Sequence, residues 1–300
     1  MAINVFKESI AVHNSVVLKG VTGLQASGGM NEHIFQGELD AHNVANLSAN
    51  QSLGFQTTDL KGIIGICGLD GALLTSGSSL VNYWRKKAHG GTFAAAGTDV
   101  STTVVDGMIA CGNLSASHGA PASVSVSVFP SSADGATEPI ALSYAATTPA
   151  EVTVQDYAYT IAACKFGTLG AETVALQSIE YDFGLNIVSE GADGALYPNI
   201  VHVVARNPTI SFTTLDIGRA ADINFHGNQS VTAEPLVLFF ARLKEGGGRY
   251  PDNETEHIKI TINKYKIMAD SLSDSGSIRI LPLWDGTNDI CVFDTGSVIS

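Results

Sequence analysis

The sequence predicts a mainly-β chain made as a tandem duplication of a β-sandwich or half-barrel domain, with one short helix per copy. Three observations carry that reading. Apolar and polar residues alternate with period two, glycine turns are closely spaced, and one pattern is written twice.

The alternation is clearest in "ASVSVSVF" (Ala122 to Phe129), "IKITI" (Ile258 to Ile262) and "IEYDFGLNI" (Ile179 to Ile187). In the last of these, Ile179, Tyr181, Phe183, Leu185 and Ile187 are expected on one face, and Glu180, Asp182 and Asn186 on the other. There are 31 glycines, and Asp-Gly pairs at Asp70, Asp106, Asp134, Asp193 and Asp285 suit tight turns between short antiparallel strands. Helix is expected only after Thr57 and Thr214. There Asp59 and Asp216 can cap short helices that bury Ile63, Ile66 and Ile223 on the outside of a sheet.

The repeated pattern is R-x-K-x-x-G-G-x-aromatic, in "RKKAHGGTF" from Arg85 and "RLKEGGGRY" from Arg242. The offset of 157 also brings Phe55 onto Phe212, Thr57 onto Thr214, Ile66 onto Ile223, Thr75 onto Thr232, Thr98 onto Thr255 and Gly119 onto Gly276. Upstream an offset of 147 lays Glu8–Gly23 on Gln155–Gly170, so about ten extra residues are expected between 184 and 212, with "EGADGALYPN" as the inserted loop. The expected units are residues 1–140 and 141–300. One difficulty is local: the offset that matches Gly37 to Gly184 places Phe35 on Asp182, and a one-residue slip turns a strand inside out.

Charge and motif content exclude several functions. The net charge is −13, with six basic and ten acidic residues in 1–150 and ten and nineteen after it. Such a surface repels phosphate and argues against a protein that grips DNA by counterion release. No apolar run is long enough for a membrane span, and "MAINVFKES" does not read as a secretory signal. Cys67, Cys111, Cys164 and Cys291 have no C-x-x-C spacing and read as buried free thiols. His33, Glu38, Asp40 and His42 are the nearest approach to a metal set, and a solvated strand face explains them better. The residues show no nucleophile, phosphate-loop or dinucleotide motif. An enzyme is not expected, and neither is a cofactor.

The turn "KGVTG" (Lys19 to Gly23), its echo "FGTLG" (Phe166 to Gly170), the run from Trp84 through "GNLSASHGAPASVSVSV" and the order of strands and helix together resemble the tail tube, or major tail, proteins of long-tailed bacteriophages, in the form that fuses two tube domains. The resemblance implies a structural virion protein, made in the host cytoplasm and resident in the tail. It implies closed rings, as trimers with pseudo-sixfold symmetry, that stack into a tube, meet other tail proteins and pass DNA without binding it specifically. Glu180, Asp182, Glu38 and Asp40 would then line an acidic lumen. Arg85, Lys87, Gly90, Gly91, Arg242, Lys244, Gly247 and Gly248 would form a loop used twice per chain between subunits. A capsid or decoration protein would share the acidic, β-rich composition. A carbohydrate-binding or adhesin module would need exposed aromatics, for which only Trp84 and Trp284 are available among the tryptophans.

Overall fold

The computed structural model describes residues 4–34, 44–88, 97–149, 158–167, 175–216, 235–272 and 276–300. The chain is mainly β, as its alternation requires. The first half contributes β1 (Asn4–His13), β2 (Val16–Leu18), β3 (Thr22–Ile34), β4 (Val44–Thr57), α1 (Leu60–Cys67), β5 (Ala72–Leu74), β6 (Leu80–Ala88), β7 (Asp99–Val104), β8 (Gly107–Ser117), β9 (Ser123–Pro130) and β10 (Ile140–Ala146). The second contributes β11 (Tyr159–Phe166), β12 (Leu176–Asp182), β13 (Leu185–Glu190), β14 (Ile200–Arg206), β15 (Thr209–Thr214), β16 (Leu236–Arg242), β17 (His257–Ile262), β18 (Tyr265–Leu272), β19 (Gly276–Pro282) and β20 (Val292–Ser297).

One long sheet runs β18-β19-β15-β12-β8-β9-β4-β3 and passes through both halves, with β5 attached to β8. Two smaller sheets, β10-β7-β6-β1-β2 and β11-β16-β17-β20, supply the second layer. The core lies between the layers. Leu80 and Val104 of one small sheet share a hydrophobic cluster with Leu53, Phe55 and Val126 of the long sheet, and Phe240 and Ile260 of the other share it with Phe212 and Ile278. Phe166 ties β11 to the long sheet through ring contacts with Phe212 at 5.6 Å and Tyr265 at 6.0 Å.

Strand order repeats between the halves. β10-β7-β6-β1 runs as β20-β17-β16-β11 does, and β3-β4-β9-β8 as β12-β15-β19-β18. The pairing registers repeat too. Tyr83 opposes Ser101 and Phe240 opposes Ile258, so both strands of the pair are displaced by 157. Phe55 opposes Val126 and Phe212 opposes Ile278, displacements of 157 and 152. Ile109 opposes Val128 and Ile267 opposes Ile280, displacements of 158 and 152. Buried Thr57 and Thr214 also act alike: the hydroxyl of Thr57 donates to the Lys19 carbonyl and accepts from the Asp59 amide, and that of Thr214 donates to the Ala175 carbonyl and accepts from the Asp216 amide.

These ladders correct four details of the sequence register. Ile10 opposes Tyr83 as Ile161 opposes Phe240, an upstream offset of 151 rather than 147. Gly119 lies at the β8–β9 turn with φ +79°, whereas Gly276 begins β19, so those glycines are not counterparts. Gln25 and Gly54 are 29 residues apart where Glu180 and Ser211 are 31 apart, so the hairpin between 184 and 212 is longer by two residues rather than ten. Finally, a boundary at 140/141 would cut β10, which pairs with β7 and therefore belongs to the first half. The physical reason is common to all four. Glycine matches in loops carry no register, whereas a hydrogen-bonded ladder fixes it residue by residue.

The run from Ile179 to Ile187 also differs from one straight strand. It breaks at Gly184, where φ is +62° and a side chain would collide with the backbone of Asn207. The Asp182 carboxylate accepts the Gly184 amide at 2.8 Å, and β13 leaves the long sheet to pair with β14 alone. "EGADGALYPN" closes that β13–β14 hairpin. Gly37 lies outside the described residues.

Helix α1 begins at Asp59, whose carboxylate accepts the Gly62 amide at 2.9 Å, and ends at Gly68 with φ +55°. Leu60, Ile63, Ile64 and Cys67 are its buried residues, while Ile66 is only partly buried. The helix touches β2 in one layer and β8 and β9 in the other, so it plugs the sandwich between layers instead of lying outside a sheet. That rotates Ile66 away from the centre. The counterpart expected after Asp216, with Ile223, lies outside the described residues. Ile63→Ala should cost about 2–4 kcal/mol, and Ile66→Ala roughly half as much or less, in equilibrium urea unfolding.

Burial holds the Asp59 carboxyl above its ordinary range, with the Gly62 and Lys19 amides and the charges of Lys19 and Lys61 opposing. Folding therefore disfavours its charged form. The resulting loss of stability is fully present above the folded pKa and disappears as pH falls below the unfolded value near 3.8. Asp59→Asn keeps the cap without the buried charge and should match or exceed the wild type at pH 7, with the difference shrinking toward pH 4 as urea midpoints are compared. Asp59→Ala should lose about 1 kcal/mol at either pH.

Candidate functional site

The long sheet presents one face to the core and the other to solvent. Along β12, Ile179 and Tyr181 are buried and Glu180 and Asp182 exposed, so the alternation expected for this strand holds. The solvent face is largely hydroxyl and amide. Ser27 and Ser52 bond at 2.8 Å, the Asn31 amide nitrogen donates to Ser48 at 2.8 Å, Ser178 and Thr213 bond at 2.7 Å, and the Asn113 amide nitrogen donates to Glu180 at 2.5 Å. These short side chains satisfy one another across strands, which leaves a level polar surface.

The carboxylates are not alone on that face. Glu180 opposes Ser211, which opposes Arg279, and Lys266 is exposed on the adjacent strand β18. Among the described residues of the face, two acidic side chains thus share it with two basic ones. Glu38 and Asp40, with His42 of the same group, lie outside the described residues.

The twice-written loop lies only partly among the described residues. Arg85 and Lys87 sit in β6, opposite Glu8 and Val5 of β1, while Gly90 and Gly91 lie outside the described residues. Arg242 ends β16 at the place corresponding to Arg85. Its guanidinium pairs with Glu256 and stacks 5.1 Å from the centre of the Tyr250 ring, which Lys244 also approaches at 5.1 Å. Gly246, Gly247 and Gly248 all have positive φ in the turn that follows. The second loop is thus held by contacts within its own chain, and its arginine does not need a neighbouring subunit for charge compensation.

Two features escaped sequence reading. The first is the joint between the halves: β8 pairs with β12, Asn113 opposite Asp182 through Ser117 opposite Ser178. The second is a seat for the β13–β14 hairpin on the first half. The Ala49 amide donates to the Leu196 carbonyl, the Ser132 amide to the Pro198 carbonyl and the Tyr197 amide to the Gly135 carbonyl. Arg206 forms an ion pair with Asp70 across the same junction.

The seat is centred on an Asp-Gly turn that occurs twice. Asp134 accepts the Ala136 and Thr137 amides, and Asp285 accepts the Thr287 and Asn288 amides. Hydrogen bonds hold both carboxyls below their ordinary range, from the Thr137 amide first for Asp134 and from the Asn288 side chain first for Asp285. "DGATE" and "DGTND" carry this signal in the sequence, but as isolated dipeptides they read only as turns.

Chemistry of other kinds finds little support. The four cysteines are buried and unpaired, as expected. Burial pushes the Cys291 thiol up to about 11, and the Tyr181 hydroxyl donates to its sulfur at 3.2 Å. A thiol so protonated is a poor nucleophile. No cluster of metal-ligating side chains occurs among the described residues, and no helix of the described chain is long and apolar enough to cross a membrane. In comparisons with known proteins, no family model and no curated protein matches the chain.

Proposed function

We propose that the chain is a duplicated structural subunit that assembles head to tail with its own copies into a closed ring, the unit of a tail-tube-like conduit. One observation carries the reading. The long sheet ends in β3 at one side and β18 at the other, and those are the counterparts of β12 and β8, the two strands already joined inside the chain. A second copy can therefore add its β3 to β18 as β12 adds to β8. Each joint repeats the previous rotation, and repetition of a head-to-tail contact closes a ring or runs on as a helix. Closure removes both exposed edges, which otherwise template aggregation. Three chains would supply twenty-four strands and six similar halves.

The polar sheet face supports passage of a polyanion without capture. Serines, threonines and amides offer no row of cations, and Lys266 and Arg279 share the face with Glu180 and Asp182. Non-specific affinity for DNA depends on the number of phosphates neutralised. A level hydroxyl surface with balanced charge neutralises few. No reactive group among the described residues of the face calls for a catalytic reading, and other tail proteins, stacked rings and residence in the virion tail belong to the same proposal.

The joint defines its own test. Asn113 opposite Asp182 is a non-hydrogen-bonded pair, since the Phe183 amide bonds the Gly112 carbonyl next to it. Its counterpart between copies is Ser271 opposite Ser27, and such pairs hold their Cα atoms about 4.5 Å apart, within disulfide range. Ser27→Cys with Ser271→Cys should yield a ladder of covalent oligomers ending at the ring on mild oxidation, with rings visible by negative-stain microscopy. Either single substitution should not. Featureless monomers and no cross-link would sink the proposal.

Changing Glu180 and Asp182 to lysine moves four charges per chain on the polar face without touching the core. Rings should still form, and should now retain double-stranded DNA in a mobility-shift assay at low salt, releasing it steeply as salt rises. Rings that retain no more DNA than the wild type would show that this face does not meet DNA.

A further inference from the structure

Within the chain, the β13–β14 hairpin rests on the turn Ser132–Thr137, and the cover is close. Ser132 is 4% exposed, Gly135 is buried, and a side chain at Gly135 would collide with Ala195. Among the described residues, nothing covers the corresponding turn of the second half. The Ser131 amide donates to the Asp106 carbonyl as the Leu283 amide donates to the Lys264 carbonyl, and the second turn reaches its aspartate one residue sooner, so Trp284 stands in place of Ser132 and the exposed Ala133 together. Trp284 is 64% exposed, and nothing lies within 4 Å of where a Gly286 side chain would begin.

The hairpin has a counterpart as well. β3 and β4 form a long hairpin whose ladder matches that of β12 and β15, with Gln25–Gly54 standing where Glu180–Ser211 stand. In that register Met30 occupies the place of Leu185, which packs against the hydrophobic core, yet Met30 is 56% exposed. Leu47 occupies the place of Val204, and both are exposed, at 62% and 56%. An open turn and a second hairpin of the same kind therefore remain in one chain, beside the two open edges β18 and β3.

We infer that the turn around Trp284 and Gly286 is a docking site for the β3–β4 hairpin of a second copy of this chain. The occupant is set by the internal example. The same kind of hairpin, reached from the same kind of strand joint, already covers the equivalent turn in the first half. When β3 of a neighbour adds to β18, its hairpin is carried over the second half as β13–β14 is carried over the first. Exposed apolar groups then find partners: Trp284 gains a lid and Met30 a floor. The hairpin latches the edge contact by a second attachment on the same neighbour, so dissociation requires both to open together.

This inference rests on the ring reading, and hydroxyl-radical footprinting of the wild-type chain separates the two. Oxidation of Trp284, Met30 and Leu47 is measured by mass spectrometry in dispersed chains at low concentration and in rings confirmed by microscopy. Trp284 and Met30 should both be protected several-fold in rings, with Leu47 as reactive as before. Rings in which Trp284 stays fully reactive would overturn the docking site while leaving the ring intact. Protection of Trp284 without Met30 would mean another occupant and would also overturn it. Absence of rings, together with absence of the 27–271 cross-link, would remove the ring reading and this inference with it.

Discussion

The ladder between β8 and β12 is the contact on which the rest of the architecture depends. It converts two four-stranded sheets into one continuous surface and so decides that the halves share a core side and a solvent side. Five residue pairs suffice because the ladder is reinforced on both faces. Tyr181 and Ile179 bury beneath it, and Asn113 and Glu180 bond above it. Backbone pairing at this point also aligns the exits of β12 and β8, which is why β13 can depart at Gly184 and lie over the neighbouring half.

That joint carries an asymmetry with consequences. Each half offers one strand of the β12 type and one of the β8 type, but a linear chain of two halves can satisfy only one such pair. The other two strands remain as edges. A sheet with complementary open edges has three outcomes in principle: indefinite growth, edge blunting, or closure. Glycines at 28 and 29 and the serine at 27 give β3 little side-chain bulk and no edge charge among its central residues. Register shifts at Thr22–Gln25 and Asn31–Glu32 bracket that uncharged stretch.

The Asp-Gly turns show how one local motif serves two situations. In both, a carboxylate gathers the amides that follow it and makes a rigid, preformed knuckle. Rigidity matters because a seat that is already ordered loses little conformational entropy when covered. In the first half a hairpin of the same chain sits there. In the second half the knuckle presents an exposed tryptophan, a large apolar ring left in water.

The sequence by itself determined the class of structure. Period-two alternation in 122–129, 179–182 and 258–262 is a property of pleated strands, and it placed Ile179 and Tyr181 inside and Glu180 and Asp182 outside. The spacing of 157 between Phe55 and Phe212 and between Tyr83 and Phe240 likewise joins residues at like places in their ladders, because side chains facing a common core cannot shift by one without reversing. What only the tertiary structure decided are relations between distant segments: the joint of β8 with β12, the hairpin seat, the balance of Glu180 and Asp182 by Lys266 and Arg279, and the plugging of the sandwich by α1. Backbone hydrogen bonds create those relations, and they are blind to residue type, so no pattern in the linear sequence records which strand edges meet.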